Sequence, residues 1–103
     1  MLNFNMIFII KDSFDKQIQD LSKKYKLIFD DFSEFKEKFD IREKHLKIYK
    51  FRVKNSSIPT KSFRIILLVK VELNKVIPFI IYSKNEKENI TIKEILVELE
   101  KFI

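Results

Sequence analysis

Not one of the 103 residues is glycine. Every other residue type meets a steric penalty at positive φ, so tight reversals must fall to Asn, Asp or Lys, or be replaced by wider loops. The same absence removes the Gly-rich phosphate loops of the Walker and dinucleotide kinds, where the backbone must approach a phosphate closely. Nucleotide-cofactor chemistry is therefore not expected, and no other cofactor is signalled.

The length fits one compact domain, residues 1–103, with no room for two independent cores. A hydrophobic content of 46% with eleven Phe is enough for a real core and argues against disorder. The chain has no Cys, which excludes disulfides, thiol catalysis, iron–sulfur clusters and thiolate zinc sites. His45 is the only histidine, so no metal site is expected. The apolar start, MLNFNMIFII, lacks the basic n-region of a signal peptide and is too short to span a bilayer. It reads as a buried strand, and the expected compartment is the cytoplasm, without membrane association. The sequons at Asn55 and Asn89 are then coincidental.

Phe14, Ile18, Leu21 and Tyr25 recur with helical spacing, and Asp12 or Ser13 is placed to cap the helix they predict. Ile28, Phe32, Phe35 and Phe39 repeat the spacing, giving a helical hairpin whose apolar stripes should lie on a sheet. From Lys47 the period becomes two: Tyr49, Phe51 and Val53 alternate with Lys50, Arg52 and Lys54. FRIILLVKV and VIPFIIYSK read as two further strands, with a turn at Leu73-Asn74-Lys75, and Pro78 marks an edge or bulge. Thr91-x-x-Glu94 is a capping box opening a last helix with Ile92, Ile95, Leu96, Leu99 and Phe102 as its apolar residues. The expectation is one α+β domain, β-α-α-β-β-β-α, its antiparallel sheet packed on the hairpin.

Residues 50–70, KFRVKNSSIPTKSFRIILLVK, hold six basic residues and no acid. Charges balance over the remainder, so this one segment carries the whole formal net charge of +6. Such a local surplus points to a polyanion-facing surface. Lys50, Arg52 and Lys54 sit at alternate strand positions, roughly 6–7 Å apart, close to the phosphate repeat of an extended nucleic-acid strand. Arg64 opens the neighbouring strand, Lys61 lies on the loop between them, and Lys84 follows the next strand. Tyr82 has the parity of Lys84 and can stack on a base or fill the core, whereas Tyr49 alternates onto the apolar face. His45 reads as a surface or capping residue. Glu86, Glu88 and Glu94 read as structural acids near a helix start.

IYKFRVKN, the loop ending in KSFRIILLV, and FIIYSKNEKENI before a capped terminal helix together resemble RelE-type toxins, with the HigB-like branch nearest. The resemblance implies a RelE-like fold and a toxin of a type II toxin–antitoxin system. It implies an endoribonuclease that enters the ribosomal A site on the small subunit, cuts mRNA there and is neutralised by an antitoxin protein. Relatives place a Gly-Lys-Ser-Gly-Gly type turn before the Phe/Tyr-Arg strand. Here Ile58-Pro59-Thr60-Lys61-Ser62 keeps Lys61 and Ser62 without the glycines, a loop expected to hold Lys61 differently.

Metal-independent RNA cleavage requires a base for the 2′-OH proton, cations to stabilise the phosphorane and an acid for the leaving 5′-oxygen. A free lysine, with a pKa of ~10.4, is a poor base near neutral pH unless neighbouring cations lower it. Lys50 is flanked by Arg52 and Lys54. The resemblance implies Lys50 as base and Arg52 as phosphate clamp. Arg64, whose fork suits a pair of phosphate oxygens, is the candidate transition-state stabiliser. Lys84 is the candidate proton donor or second clamp, and Lys54, Lys61 and Tyr82 are the RNA-binding candidates. Two alternatives stand beside this: a ParE-like toxin acting on DNA gyrase, and a nucleic-acid-binding relative without activity.

Overall fold

The computed structural model describes residues 6–39, 47–58, 60–70, 74–84 and 90–100. Among them the elements run β1 (Ile7–Phe8), α1 (Asp12–Ser22), α2 (Ile28–Lys38), β2 (Lys47–Lys54), β3 (Ser62–Lys70), β4 (Lys75–Ser83) and α3 (Ile92–Glu100). The architecture is α+β, three helices on a four-stranded sheet of order β1-β4-β3-β2. His45, Glu86, Glu88, Asn89 and Phe102 lie outside the described residues, as do positions 2–5 of the expected first strand.

β2, β3 and β4 form an antiparallel meander, but β1 joins β4 in parallel through Ile7↔Lys75 and Phe8↔Val76. The sheet is therefore mixed, which corrects the antiparallel expectation. Two helices separate β1 from β2, a connection long enough for the two edge strands to point the same way.

The helical hairpin covers one face of the sheet. Phe14 and Ile18 of α1 and Ile28 and Phe32 of α2 pack against Phe63, Ile65, Leu67 and Val69 of β3 and Val76 and Ile81 of β4. Phe8, Phe35, Phe39 and Phe51 extend this core toward β2 with edge-to-face rings 5.4–6.5 Å apart. Such pairs add about 0.5–1.5 kcal/mol beyond the area they bury. On the opposite face Ile66, Phe79, Ile80 and Tyr82 form a smaller cluster with Leu68, Ile90, Ile95 and Leu99.

A bulge in β4 shapes that second cluster. Ile66 pairs with Ile80 and Leu67 with Pro78, leaving Phe79 as the extra residue. The two consecutive residues Phe79 and Ile80 then serve the same cluster, which unbroken alternation would forbid. Pro78, with no N–H to give, sits beside the irregularity.

The α1 N-cap is Lys11, extended and without a side-chain cap. Its carbonyl accepts from the N–H groups of Phe14 (3.1 Å) and Asp15 (3.0 Å). Neither Asp12 nor Ser13 caps the helix, because the chain enters one residue earlier than the capping residues suggest. Asp12 and Asp15 instead place their charge in the first turn, where the helix dipole favours it. At α3, the Glu94 N–H donates to Thr91 Oγ1 (3.1 Å), whose hydroxyl donates to the Glu94 carboxylate (3.2 Å). Of the apolar residues of α3, Ile95 and Leu99 pack, whereas Ile92 is 76% exposed and Leu96 half exposed. Among the described residues no helix is long and apolar enough to cross a membrane.

Without glycine, positive φ falls on Leu27 (66°) and Asn74 (52°) among the described residues. Asn tolerates this region; for Leu it costs about 1–2 kcal/mol. Leu27 is half exposed in the joint between α1 and α2. Leu27→Gly is therefore expected to stabilise the fold by about 1 kcal/mol, after allowing for the added freedom of the unfolded chain. The check is the midpoint of urea unfolding at unchanged slope; a lower midpoint would contradict the strain.

Beyond Val76, β4 has no strand partner on its outer side among the described residues. There the Gln17 side chain of α1 donates to the Phe79 carbonyl (2.9 Å) and accepts from the Ile81 N–H (3.1 Å). One amide thus serves two backbone groups that a neighbouring strand would otherwise take.

Candidate nucleic-acid interface

The register brings the basic residues of three strands together on the face opposite the hairpin. Arg52 stands across from Arg64, and Arg64 across from Tyr82. Lys54 stands across from Ser62, and the Lys84 N–H bonds the Ser62 carbonyl (3.1 Å), which extends that row to a third position. Lys50 lies opposite Ile66, one row further along. Lys50, Arg52 and Lys54 are exposed, and Arg64 and Lys84 are half-buried.

The bond from Asn55 N–H to the Lys61 carbonyl (3.0 Å) fixes the hydrogen-bonding phase of the β2–β3 ladder. It makes Arg52–Arg64 a narrow pair, with Cα atoms about 4.5 Å apart. Like charges directly opposite one another oppose sheet formation on a scale of about 0.2–1 kcal/mol. No described carboxylate pairs with either arginine, or with Lys50, Lys54 or Lys84. The fold therefore keeps a cation pair that its own stability disfavours.

Two details order this face. The Arg52 Nε–H donates to the buried Ser62 Oγ (3.3 Å), which steadies the guanidinium over the sheet. Arg64 Nε and the Tyr82 hydroxyl are shielded from solvent and lack a hydrogen-bond partner among the described residues. A shielded donor without a partner costs about 1–3 kcal/mol, which a ligand oxygen would recover. The Tyr82 ring is only 9% exposed and packs with Phe79 and Ile80, so the ring is core and the hydroxyl is what it offers the site. Tyr49 packs on the hairpin face beside Phe51.

Lys61 does not join the row: it stands across from Asn55, one position out of phase with Ser62 and Arg64. Its loop is built without glycine. Asn55, 1% exposed, donates Nδ2–H to the Lys26 carbonyl (2.9 Å) and the Asp31 carboxylate (3.0 Å). Its Oδ1 accepts from Ser57 Oγ–H (2.6 Å) and the Ile58 N–H (2.9 Å). Asp31, itself buried, also accepts from the Ser56 N–H (3.0 Å) and the Ser56 hydroxyl. Side-chain bonds from α2 thus do the work that glycine turns would otherwise do. Sequence alone assigns no part in the site to Ser62, Asn55 or Asp31. The run Asn-Ser-Ser carried the available signal, because such residues form local turns through their own side chains.

Around the outer edge of β2 lies a cleft of about 500 Å³ lined by Phe35, Phe39, Phe51 and Val53, the cations Lys38, Arg52 and Lys54, the acids Asp31 and Glu34, and Ser56. Lys38 Nζ pairs with Glu34 at 2.5 Å. The hydrogen bond and the adjacent ammonium hold the Glu34 carboxyl below its ordinary value, and the carboxylate in turn raises Lys38. Among the described residues no three His, Cys, Asp or Glu side chains come together in a way that could hold a metal ion.

The chain matches no family model, no curated protein and no solved structure.

Proposed function

We propose that this protein is an endoribonuclease toxin of RelE type, which inhibits translation by cutting mRNA in the ribosomal A site and is held in check by an antitoxin. The observation that supports it most is the Arg52–Arg64 pair, two like charges kept opposite one another without a carboxylate partner among the described residues. Such a pair is stabilised when a phosphate lies between its members.

In this reading the scissile phosphate lies over the arginine pair. Lys50 and Lys84 stand on opposite flanks of it, two strand spacings or roughly 10 Å apart across the sheet and about 13 Å apart along it. Lys50, as a free amine, takes the 2′-OH proton as the 2′-oxygen attacks phosphorus. Arg52 and Arg64 carry the charge that builds on the phosphorane oxygens. Lys84, as an ammonium, gives a proton to the departing 5′-oxygen as the P–O5′ bond breaks. The products are a 2′,3′-cyclic phosphate and a 5′-hydroxyl. Lys54 continues the phosphate track.

The test is induction in bacteria with RNA 5′-end mapping, beside a Lys50→Ala variant. Codon-phased cuts that disappear in the variant support the nuclease. Growth arrest that survives the substitution would instead favour a gyrase target, and no arrest would leave a binder without activity. Co-expression with the adjacent open reading frame and pull-down addresses the antitoxin; absence of a complex would count against that partner. Location in the cytoplasm follows from the proposed target.

Binding has its own signature. Each phosphate contact to a single strand contributes about −0.7 to the slope of log K against log salt. Lys54→Ala is expected to reduce the magnitude of that slope by about 0.7 for a short RNA. An unchanged slope would place the RNA elsewhere.

A further inference from the structure

We propose that the cleft between α2 and the outer edge of β2 is a nucleobase subsite, which receives a base of the single-stranded RNA whose phosphates lie on the cationic row. The proposal rests on the RNA-binding reading of that row and adds a site to it.

Three observations carry it. The first is an aromatic wall: Phe35, Phe39 and Phe51 are half-buried, with centroids 5.4–5.6 Å apart, and all three line the cleft. Its volume of about 500 Å³ is within the range of small-ligand sites. The second is charge. Glu34 is paired with Lys38, and Asp31 is engaged by Asn55 and Ser56, so among the described residues the cations left without an ion-pair partner at the cleft are Arg52 and Lys54. A ligand that suits both is aromatic and anionic, as a nucleotide is. The third is continuity: Arg52 and Lys54 belong at once to the cationic row and to the lining of the cleft.

The edge itself adds polar groups. In the phase fixed by Asn55, the backbone N–H and C=O of Arg52 and Lys54 point away from β3, toward the open side of β2. No described strand pairs with them. An unpaired base presents donors and acceptors of the same kind along its rim. Apolar walls with a cation at the mouth are how proteins hold single strands: aromatic faces take the bases while the cations follow the backbone.

The experiment compares two fluorescent probes of equal length, an oligoadenylate and an abasic ribose-phosphate oligomer, on the wild type, Phe39→Leu and Phe35→Leu. Leucine keeps the site apolar and removes the ring, and circular dichroism identifies which variants fold. The expected result is that a folded variant binds oligoadenylate about tenfold more weakly and binds the abasic probe as the wild type does. A 2-aminopurine placed in the RNA is expected to be quenched on binding to the wild type, a readout that needs no variant. Equal affinity of the wild type for both probes, or an unquenched base, would overturn the subsite and leave the phosphate row standing. Failure of the wild type to bind either probe would overturn the RNA reading itself.

Discussion

In the proposed nuclease reading, Arg64→Ala is expected to lower the rate of RNA cleavage by about 10²–10³-fold, the usual loss when one preorganised donor to a developing oxyanion is removed. The fold is expected to survive. Arg64 is half-buried, its Nε lacks a partner among the described residues, and it faces a second arginine across the narrow pair. Removing it deletes a repulsion and an unsatisfied donor, so thermal stability should stay level or rise slightly. This combination, lost turnover with intact stability, distinguishes a catalytic cation from a structural one. Arg64→Lys should recover only part of the rate, because an ammonium cannot present two parallel donors to a phosphate. Single-turnover cleavage on programmed ribosomes is the measurement, with a melting curve beside it. Wild-type turnover in Arg64→Ala would remove Arg64 from the mechanism.

Asn55→Ala is expected to have the largest effect on the fold, about 3 kcal/mol, because it strips partners from several shielded groups at once. The Lys26 carbonyl, the Ile58 N–H and the Asp31 carboxylate each lose a bond to Asn55. For a domain of this size the melting temperature should fall by roughly 10–20 °C. Ser57→Ala, by contrast, touches an exposed residue and should cost far less. Thermal unfolding followed by circular dichroism decides it. A shift in Asn55→Ala no larger than that of Ser57→Ala would mean that the loop is not held by this network. Because Ser62 follows the loop and steadies Arg52, the same variant should also weaken the proposed RNA binding.

The contrast between these two residues shows what a sequence can disclose. Arg64 was legible because strand alternation is local: with Lys50, Arg52 and Lys54 on one parity, the next strand's basic residue falls beside them. The two hairpin helices were legible for the same reason, since Phe14, Ile18, Ile28 and Phe32 repeat at helical spacing and lie on the sheet. Asn55 was not legible, since its meaning depends on Asp31, twenty-four residues away and on another element. The parallel pairing of β1 left no local trace either; strand direction is settled by partners at Lys75 and Val76. Pro78 announced an irregularity but not its phase, and the phase is what turns Phe79 and Ile80 to one side. At α3, apolar residue types suggested a wider buried face than Ile95 and Leu99 provide.

Gln17 bears on how the molecule meets its own kind. A sheet edge with unpaired backbone groups is a template on which another copy can grow. By occupying the Phe79 carbonyl and the Ile81 N–H, one glutamine amide imitates a single link of a missing strand and takes two of the groups a newcomer would need. Resistance of this β4 edge to pairing with a second copy, and with it part of the chain's colloidal behaviour at high concentration, is therefore expected to depend on one side chain.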